Sequence, residues 1–370
     1  MLKIRSAPAV LAGAFVLIGL VGWFAGLPLG LDSAVYRSGA WAVLHGEALY
    51  EHLTATPSWS IDLPFTYPPI AAVLFTPLAL LPVQLVWALF AAVSVLGVAA
   101  VLRWTSGPSP LLFLLVFSLE PVWRTIGLGQ INVLLMVMVV FDLLRNDSRW
   151  SGVLIGVAAA VKLTPLIFVL HLLVTGRRRE AARALGTFLG LQVLGFLLLP
   201  ADSVRFWGSA IFTGNNATGN GYFTNQSISG VVQRLTGGAP VVAVVLCVVY
   251  VVVAAVLARR AHLRGEPVVA MLITAGCGVL VSPISWSHHW VWVVPLVALL
   301  VARGSRVALV LVWAVFLGAT MWAPSGNALL DNLYVLAALA GCAVWWARGR
   351  SGVDVRSSVG AGDVPGRWNR

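Results

Sequence analysis

The feature that most constrains this chain is a series of apolar runs, each about 20 residues long, that recurs along its length. As a helix rising about 1.5 Å per residue, such a run crosses roughly 30 Å of hydrocarbon. Lipid offers no hydrogen bonds to the backbone, so only helices or closed barrels cross it, and these runs are continuous rather than alternating. With 59% hydrophobic and 10% charged residues, the sequence predicts an all-α polytopic membrane protein.

The distribution of positive charge predicts the orientation of the chain in the membrane. The net charge of +11 is concentrated in short basic clusters between apolar runs, for example at 177–183 and 259–264. The positive-inside rule places such clusters in the cytoplasm, so nucleic acid is not needed to explain the charge and is not an expected partner. With a cytoplasmic N-terminus we predict about twelve spans, near 8–29, 68–81, 84–102, 109–123, 130–144, 152–174, 184–200, 240–258, 267–282, 290–302, 307–323 and 333–347.

This map predicts one transmembrane domain over residues 1–350 with its long loops on the outer face. These loops are 30–67 and 201–240, and the first is expected to contain a helix lying in the membrane interface. Residues 351–370 are rich in Gly, Ser and Val without helical periodicity, which favours a disordered cytoplasmic tail. Multi-pass insertion in the cytoplasmic membrane, among membrane lipids, is therefore the expected localisation.

Asp32 is the first candidate for chemistry, because it stands where the first apolar helix leaves the membrane. Ionisable groups at membrane depth are costly, so each one is a hypothesis of function. The alternative is structural: Asp is a preferred N-cap, and a helix beginning at Ser33 would use it in that way.

Two adjacent histidines, His288 and His289, stand beside Trp286 at an outer helix junction in VSPISWSHHWVW. Histidine changes charge near neutral pH, which suits proton transfer or the binding of a phosphate. Successive side chains on a helix point about 100° apart, so only one of the pair has to face a site. The alternative is an aromatic belt at the interface that carries polar residues.

Lys162 lies near the middle of a predicted span, where an ammonium could reach an anionic group. Its structural alternative is a partner for the carboxylate of Glu120 or Asp142. Gln130 and Asn132 interrupt two predicted spans that are barely long enough to cross the membrane. These residues either line a cavity at a helix break or form a cytoplasmic turn, and the map of spans favours the turn. No set of residues has metal-ligand spacing, because Asp32 lacks a second acid nearby and the histidines lack a third ligand.

Six ordered motifs between Gly30 and Trp292 resemble those of glycosyltransferase family 87, a family of GT-C-type membrane mannosyltransferases of actinobacteria. They are DSAVYRSGAWAVLHGEALY, FTYPPIAAVLFTPLALLP, GQIN, VKLTP, NQSISGVVQRL and SPISWSHHWVW. The resemblance implies a GT-C fold, no cofactor, and a site on the outer, periplasmic face. It also implies inverting α-(1→2) transfer from a polyprenyl-phosphate-β-mannose donor to a mannosylated lipid, such as a phosphatidylinositol mannoside or a lipomannan.

The family's first-loop aspartate corresponds to Asp32, as general base, and its late histidine corresponds to the pair His288/His289. For donor and acceptor binding we select further polar and aromatic residues within the motifs: Tyr36, Tyr67, Gln130, Asn132, Lys162, Asn225, Gln226, Ser227 and Trp286. Two other functions remain open: a GT-C transferase for another lipid-linked sugar such as arabinose, and a lipid or glycan transporter. A transporter is expected to show related halves with broken helices, which the sequence does not display.

Overall fold

The computed structural model describes residues 6–107, 109–145, 147–213 and 221–348, and these residues are helical apart from loops and one isolated bridge. The predicted tail 351–370 and residues 214–220 of the second predicted outer loop lie outside the described residues. The α-helices are α1 Ala7–Ala25, α2 Leu31–His45, α3 Pro69–Leu74, α4 Val83–Thr105, α5 Pro110–Phe117, α6 Glu120–Leu128, α7 Asn132–Leu144, α8 Val153–Val161, α9 Ile167–Val174, α10 Arg178–Leu198, α11 Pro200–Arg205, α12 Ile211–Thr213, α13 Ile228–Thr236, α14 Pro240–Leu263, α15 Pro267–Val281, α16 Val293–Ala302, α17 Arg306–Phe316 and α18 Leu333–Arg348.

The helices confirm an all-α, multi-pass membrane protein. Within the described residues, five helical stretches are long and apolar enough to cross a membrane: α1, α4, α10, α14 and the stretch that ends with α18. The pair α5 and α6 makes a sixth if its 71° bend is counted within one span. Shorter apolar helices, including α7, α15 and α17, complete the bundle.

The predicted span 68–81 is wrong, because this segment begins and ends beside the same helix. Pro69 starts the six-residue α3, and the proline at 77 starts a separate 3₁₀ turn, Thr76–Leu80, since proline cannot continue the backbone ladder. At the start of the segment the hydroxyl of Tyr67 meets that of Tyr36 in α2. At its end Arg37 Nε, also in α2, donates to the carbonyl of Leu81.

The predicted span 152–174 is also wrong, because the chain turns back at Lys162. The backbone of Lys162 is extended (φ −144°, ψ 128°) and ends α8. The carboxylate of Asp142, near the end of α7, accepts backbone N–H groups at the start of α8. After α9 the guanidinium of Arg177 donates to the carbonyl of Leu143 and to Ser151 Oγ. Both ends of this helical hairpin therefore lie beside the end of α7, and Lys162 lies at its tip.

Long helices separate the basic clusters from the predicted outer loops. The helix α10 begins in the arginine cluster, and just beyond its other end Asp202 accepts the backbone N–H of Leu49 in the first loop. At one end of α15, Arg303 pairs with Glu266; beyond the other end, Pro283 accepts from Asn225. The arginine clusters at 177–183 and 259–264 and the predicted outer loops thus lie at opposite ends of these helices.

The first helices position the beginning of the first loop. α4 begins where α1 ends, since Gln84 donates to the carbonyl of Leu27. The helix expected in the first loop is α2, and eight of its fifteen residues are buried against the rest of the protein.

Candidate active site

Asp32 lies in the first turn of α2 and points to the junction between α6 and α7. The cap position belongs to Gly30, whose φ of 77° favours glycine, and no side chain caps the helix. The carboxylate of Asp32 accepts a hydrogen bond from Gln130 Nε2 at 2.7 Å. The interpretation of Asp32 as the N-cap is therefore wrong.

Gln130 and Asn132 form a helix break inside the protein rather than a cytoplasmic turn. α6 ends at Gly129 with φ 71°, and the chain turns there into α7. Both side chains are less than 9% exposed. Because Gln130 contacts Asp32, the two cannot lie on opposite sides of the membrane, and the predicted turn is wrong.

Two buried tyrosines extend the contact between Gln130 and Asp32. The hydroxyl of Tyr36 donates to Gln130 Oε1 at 2.8 Å and lies 2.9 Å from the hydroxyl of Tyr67. The ring of Tyr36 packs between Phe75 and Phe90. The predicted residues Tyr36, Tyr67 and Gln130 thus meet directly beside Asp32.

Lys162 brings a positive charge to the same place. Its ammonium donates to Asn132 Oδ1 at 2.9 Å, lies 3.3 Å from His289 Nε2 and stands 5.5 Å from the ring centre of Tyr67. The hairpin of α8 and α9 positions it there.

The proposed carboxylate partners of Lys162 are engaged elsewhere. Asp142 accepts the backbone N–H groups of Gly152 and Ile155. Glu120 is fully buried and accepts from Ser287 Oγ at 2.6 Å and from the hydroxyl of Tyr334 at 3.0 Å. The structural alternative for Lys162 is therefore wrong.

The two histidines have different surroundings. His289 faces Lys162, whereas the backbone carbonyl of His288 accepts from Thr125 and Asn132. Both ring nitrogens of His288 are buried, and no described residue offers them a hydrogen bond. The segment is the 3₁₀ helix Ser287–Trp292, not an exposed belt.

Asn225, Gln226, Ser227 and Trp286 form a brace behind the histidines. Asn225 pairs with Trp286 in the isolated bridge, and its Oδ1 accepts the backbone N–H of Ser285. Gln226 and Ser227 bond to backbone groups at 331, 334 and 283. These contacts are made with other parts of the protein rather than with Asp32.

Sequence reasoning missed two members of this arrangement. The sequence suggests Glu120 only as a partner of Lys162, and Arg124 is absent from the predicted site. Arg124 Nη1 lies 3.4 Å from Glu120, one helical turn away. The available signal was this i,i+4 pair of opposite charges in an otherwise apolar stretch.

The electrostatics suit a base that works near neutral pH. Partial burial raises the pKa of Asp32 to about 6, against the opposing effects of the Gln130 hydrogen bond and of the positive charges on Lys162 and Arg124. At neutral pH this carboxyl group is mostly ionised and close to its pKa, as general base catalysis requires. Within the described residues no group of three or more His, Cys, Asp or Glu side chains could hold a metal ion.

Comparisons with known proteins agree with the motifs. The profile of glycosyltransferase family 87 matches residues 65–283. A polyprenol-phosphate-mannose-dependent alpha-(1-2)-phosphatidylinositol mannoside mannosyltransferase of Mycobacterium tuberculosis is 36% identical over 329 residues, covering 80% of this chain and 76% of the relative. A protein of the same name from Mycolicibacterium smegmatis is 33% identical over 391 residues, covering 92% of this chain and 88% of the relative.

Among solved structures, ArnT from Cupriavidus metallidurans bound to undecaprenyl phosphate is 17% identical with a TM-score of 0.36, covering 90% of this chain and 75% of that one. This likeness is too slight to carry an argument. The family match and the two mycobacterial relatives are sufficient: the chain belongs to glycosyltransferase family 87.

Proposed function

We propose that this protein is a mannosyltransferase that moves mannose from a polyprenyl-phosphate-mannose donor to a hydroxyl group of a phosphatidylinositol mannoside, forming an α-(1→2) linkage. The names of relatives that cover most of the chain support the donor and the acceptor class. The observation that carries the chemistry is the pairing of a carboxylate, Asp32, with an ammonium, Lys162, around the break between α6 and α7.

Asp32 is the proposed general base. As the acceptor oxygen attacks C1 of mannose, Asp32 takes the hydroxyl proton, and the bond from C1 to the phosphate oxygen breaks with its electron pair leaving on the phosphate. A single in-line displacement inverts a β-linked donor into an α-linked product and requires one base. Such proton transfer contributes typically about 10²–10⁴-fold.

Lys162 and His289 are the proposed ligands of the departing phosphate. The leaving polyprenyl phosphate gains negative charge, and a fixed cation in a site shielded from water stabilises that charge best. Asn132 holds the ammonium of Lys162 in place. His289 adds a ring nitrogen beside it.

The helix map supports a site recessed below the outer face of the cytoplasmic membrane. With the arginine clusters inside, Asp32 and the histidines lie towards the periplasmic side. Without the two segments that turn back, the proposed map keeps the other ten predicted spans as crossings. The 13 residues of α7, from Asn132, rise about 20 Å, against roughly 30 Å of hydrocarbon. Asn132 therefore lies within the membrane, where the lipid-linked sugar reaches it.

The test is mannose transfer by purified protein from polyprenyl-phosphate-mannose to phosphatidylinositol mannosides, with the linkage of the product determined. Asp32→Asn keeps the size of the side chain but cannot accept the proton, so turnover should fall about 10²-fold or more. Glu47→Gln, half-buried, and Asp62→Asn, exposed, lie in the same loop; they are matched controls and should retain activity. Transfer from the arabinose donor alone, or full activity of Asp32→Asn in a folded protein, would overturn the proposal.

A further inference from the structure

Four polar side chains from three parts of the fold form a continuous hydrogen-bonded chain that ends at the proposed base. It runs from Tyr67, before α3, through Tyr36 in α2 and Gln130, between α6 and α7, to Asp32. The three links measure 2.9, 2.8 and 2.7 Å. Tyr36 is 1% exposed and Gln130 6% exposed, so bulk water does not compete for these bonds.

The order of donors and acceptors along this chain follows from the chemistry of its groups. A tyrosine hydroxyl has one proton, and that of Tyr36 goes to Gln130 Oε1. The amide nitrogen of Gln130 must then face Asp32. Because the Tyr36 proton is used, its oxygen accepts from Tyr67.

The orientation of the Gln130 amide determines which form of Asp32 the site favours. An ionised carboxylate can only accept hydrogen bonds, so it is compatible with the amide N–H but not with the amide oxygen. With the amide turned over, Gln130 Oε1 would face Asp32 and would favour a protonated carboxyl group. In that orientation the hydroxyl of Tyr36 would have to change from donor to acceptor and give its proton to Tyr67, so every link of the chain would reverse. The observed order avoids this reversal and leaves the amide N–H for Asp32.

We propose that Tyr36 and Tyr67 are positioning residues that act through the Gln130 amide to keep Asp32 ionised and aimed at the acceptor hydroxyl. The inference rests on the proposed function, in which Asp32 is the base. It assigns Tyr36, Tyr67 and Gln130 to the support of that base rather than to direct contact with the sugar.

Other charged groups near Asp32 act in the same direction but through space. The charges of Lys162, at the tip of the hairpin, and Arg124, in α6, both lower the pKa of Asp32. The hydrogen bond from Gln130 lowers it more than either charge does. Burial raises the pKa of both Tyr36 and Tyr67, so they remain neutral hydroxyl donors throughout the working range of pH. A shift of the acidic limb on removing a tyrosine hydroxyl therefore does not come from titration of the tyrosines themselves.

The chain offers a matched control in Tyr50. Its ring lies against Phe65 in the same aromatic cluster, but its hydroxyl donates to the backbone carbonyl of Tyr67 and is outside the route to Asp32. Tyr36→Phe and Tyr50→Phe therefore each remove one hydroxyl and keep the ring. Only Tyr36→Phe frees the Gln130 amide.

The experiment is the pH dependence of kcat/KM for mannose transfer by the full-length protein, with thermal unfolding as the folding control. In Tyr36→Phe the acidic limb should move to higher pH by about half a unit or more, with a fall in turnover at pH 7 of about tenfold. Gln130→Leu should shift the limb in the same direction, and the double variant should shift it no further than Gln130→Leu alone. Tyr50→Phe should leave the midpoint unchanged.

The outcomes separate this inference from the proposed function. Suppose that the wild-type protein transfers mannose and that the folded variants Tyr36→Phe and Gln130→Leu keep the midpoint of its acidic limb. The positioning role is then wrong, while the proposed transferase function stands. An equal shift in Tyr50→Phe would also overturn it, because the effect would then belong to the aromatic cluster in general. If the unchanged protein transfers no mannose, the proposed function itself fails.

Discussion

At the scale of single residues, the site depends on how one carboxylate is kept usable inside a membrane protein. Burial favours the neutral form of Asp32, and the bond from Gln130 favours the charged form. A hydrogen bond to a charged group contributes about 1.5–3 kcal/mol, which is enough to offset a large part of the desolvation cost. The fraction of Asp32 that is ionised, and so able to act as the proposed base, therefore depends on these neighbours.

A direct consequence is a specific pH dependence of mannose transfer by the wild-type protein. The pKa of Asp32 is raised to about 6, and the base works only when ionised. Activity should therefore be full well above pH 6 and should fall about tenfold for each further unit below it. Initial rates at saturating donor over pH 4.5–8 check this; a flat profile down to pH 5 would contradict the role of Asp32.

The charge on Lys162 is the second residue-scale test. Lys162→Met keeps most of the length of the side chain but removes the ammonium that Asn132 holds. Stabilisation of the leaving phosphate should be lost, and kcat should fall about 10²-fold. Lys162→Arg should retain more activity than Lys162→Met; equal losses in the two variants would mean that charge is not what matters.

Chelation tests whether protein side chains alone carry the reaction. Asp32 is a single carboxylate that accepts a hydrogen bond from the amide of Gln130, and this pair is a poor set of ligands for a divalent cation. Transfer should proceed at an unchanged rate in excess EDTA. Loss of activity that Mn²⁺ or Mg²⁺ restores would contradict this.

At the scale of elements, breaks in the helices place the functional groups. Gly129 ends α6 with φ 71°, and a Cβ there would lie 2.5 Å from Ser33 Oγ. Gly129→Ala should therefore push Gln130 away from Asp32 and lower turnover at least tenfold. Gly127→Ala, two residues earlier with no atom within 4 Å of the added carbon, is the control; equal activity in the two variants would show that the close approach is unimportant.

The hairpin of α8 and α9 makes a prediction about sidedness. Both ends of the hairpin lie at the arginine-rich end of the helix bundle. A cysteine at exposed position 148 should therefore react with an impermeant reagent only from the cytoplasm. A cysteine at exposed position 61 should react from outside. Both are placed in a protein without its three native cysteines, and labelling of position 148 from outside would restore 152–174 as a crossing span.

The sequence predicted the helical class, the family, and most residues that meet at Asp32, but not how they meet. Local signals marked each break: glycine before Gln130, and proline soon after Lys162. Hydrophobic periodicity cannot separate a buried hairpin from a span, because both are apolar throughout. Only contacts between distant segments, Arg37 with Leu81 and Arg177 with Leu143, showed that 68–81 and 152–174 turn back.

At the scale of the whole molecule, the site joins the two halves of the chain. Lys162 and His289 come from segments separated by the seven described α-helices α9 to α15. The turn at Gly265, between α14 and α15, is exposed and lies at the opposite end of α15 from the histidine segment. Co-expressed fragments 1–265 and 266–370 should restore transfer in membranes, and neither fragment alone should do so. Activity of the first fragment by itself would remove His289 from the mechanism.

The pairing of Asn225 with Trp286 also has a consequence for synthesis. Asp32 is made early, but the histidine segment can meet Asn225 only after Trp286 has been made. With the roles proposed above, a chain still on the ribosome would have its base without the complete phosphate site, and would not consume the lipid-linked sugar before the segment around Trp286 is in place.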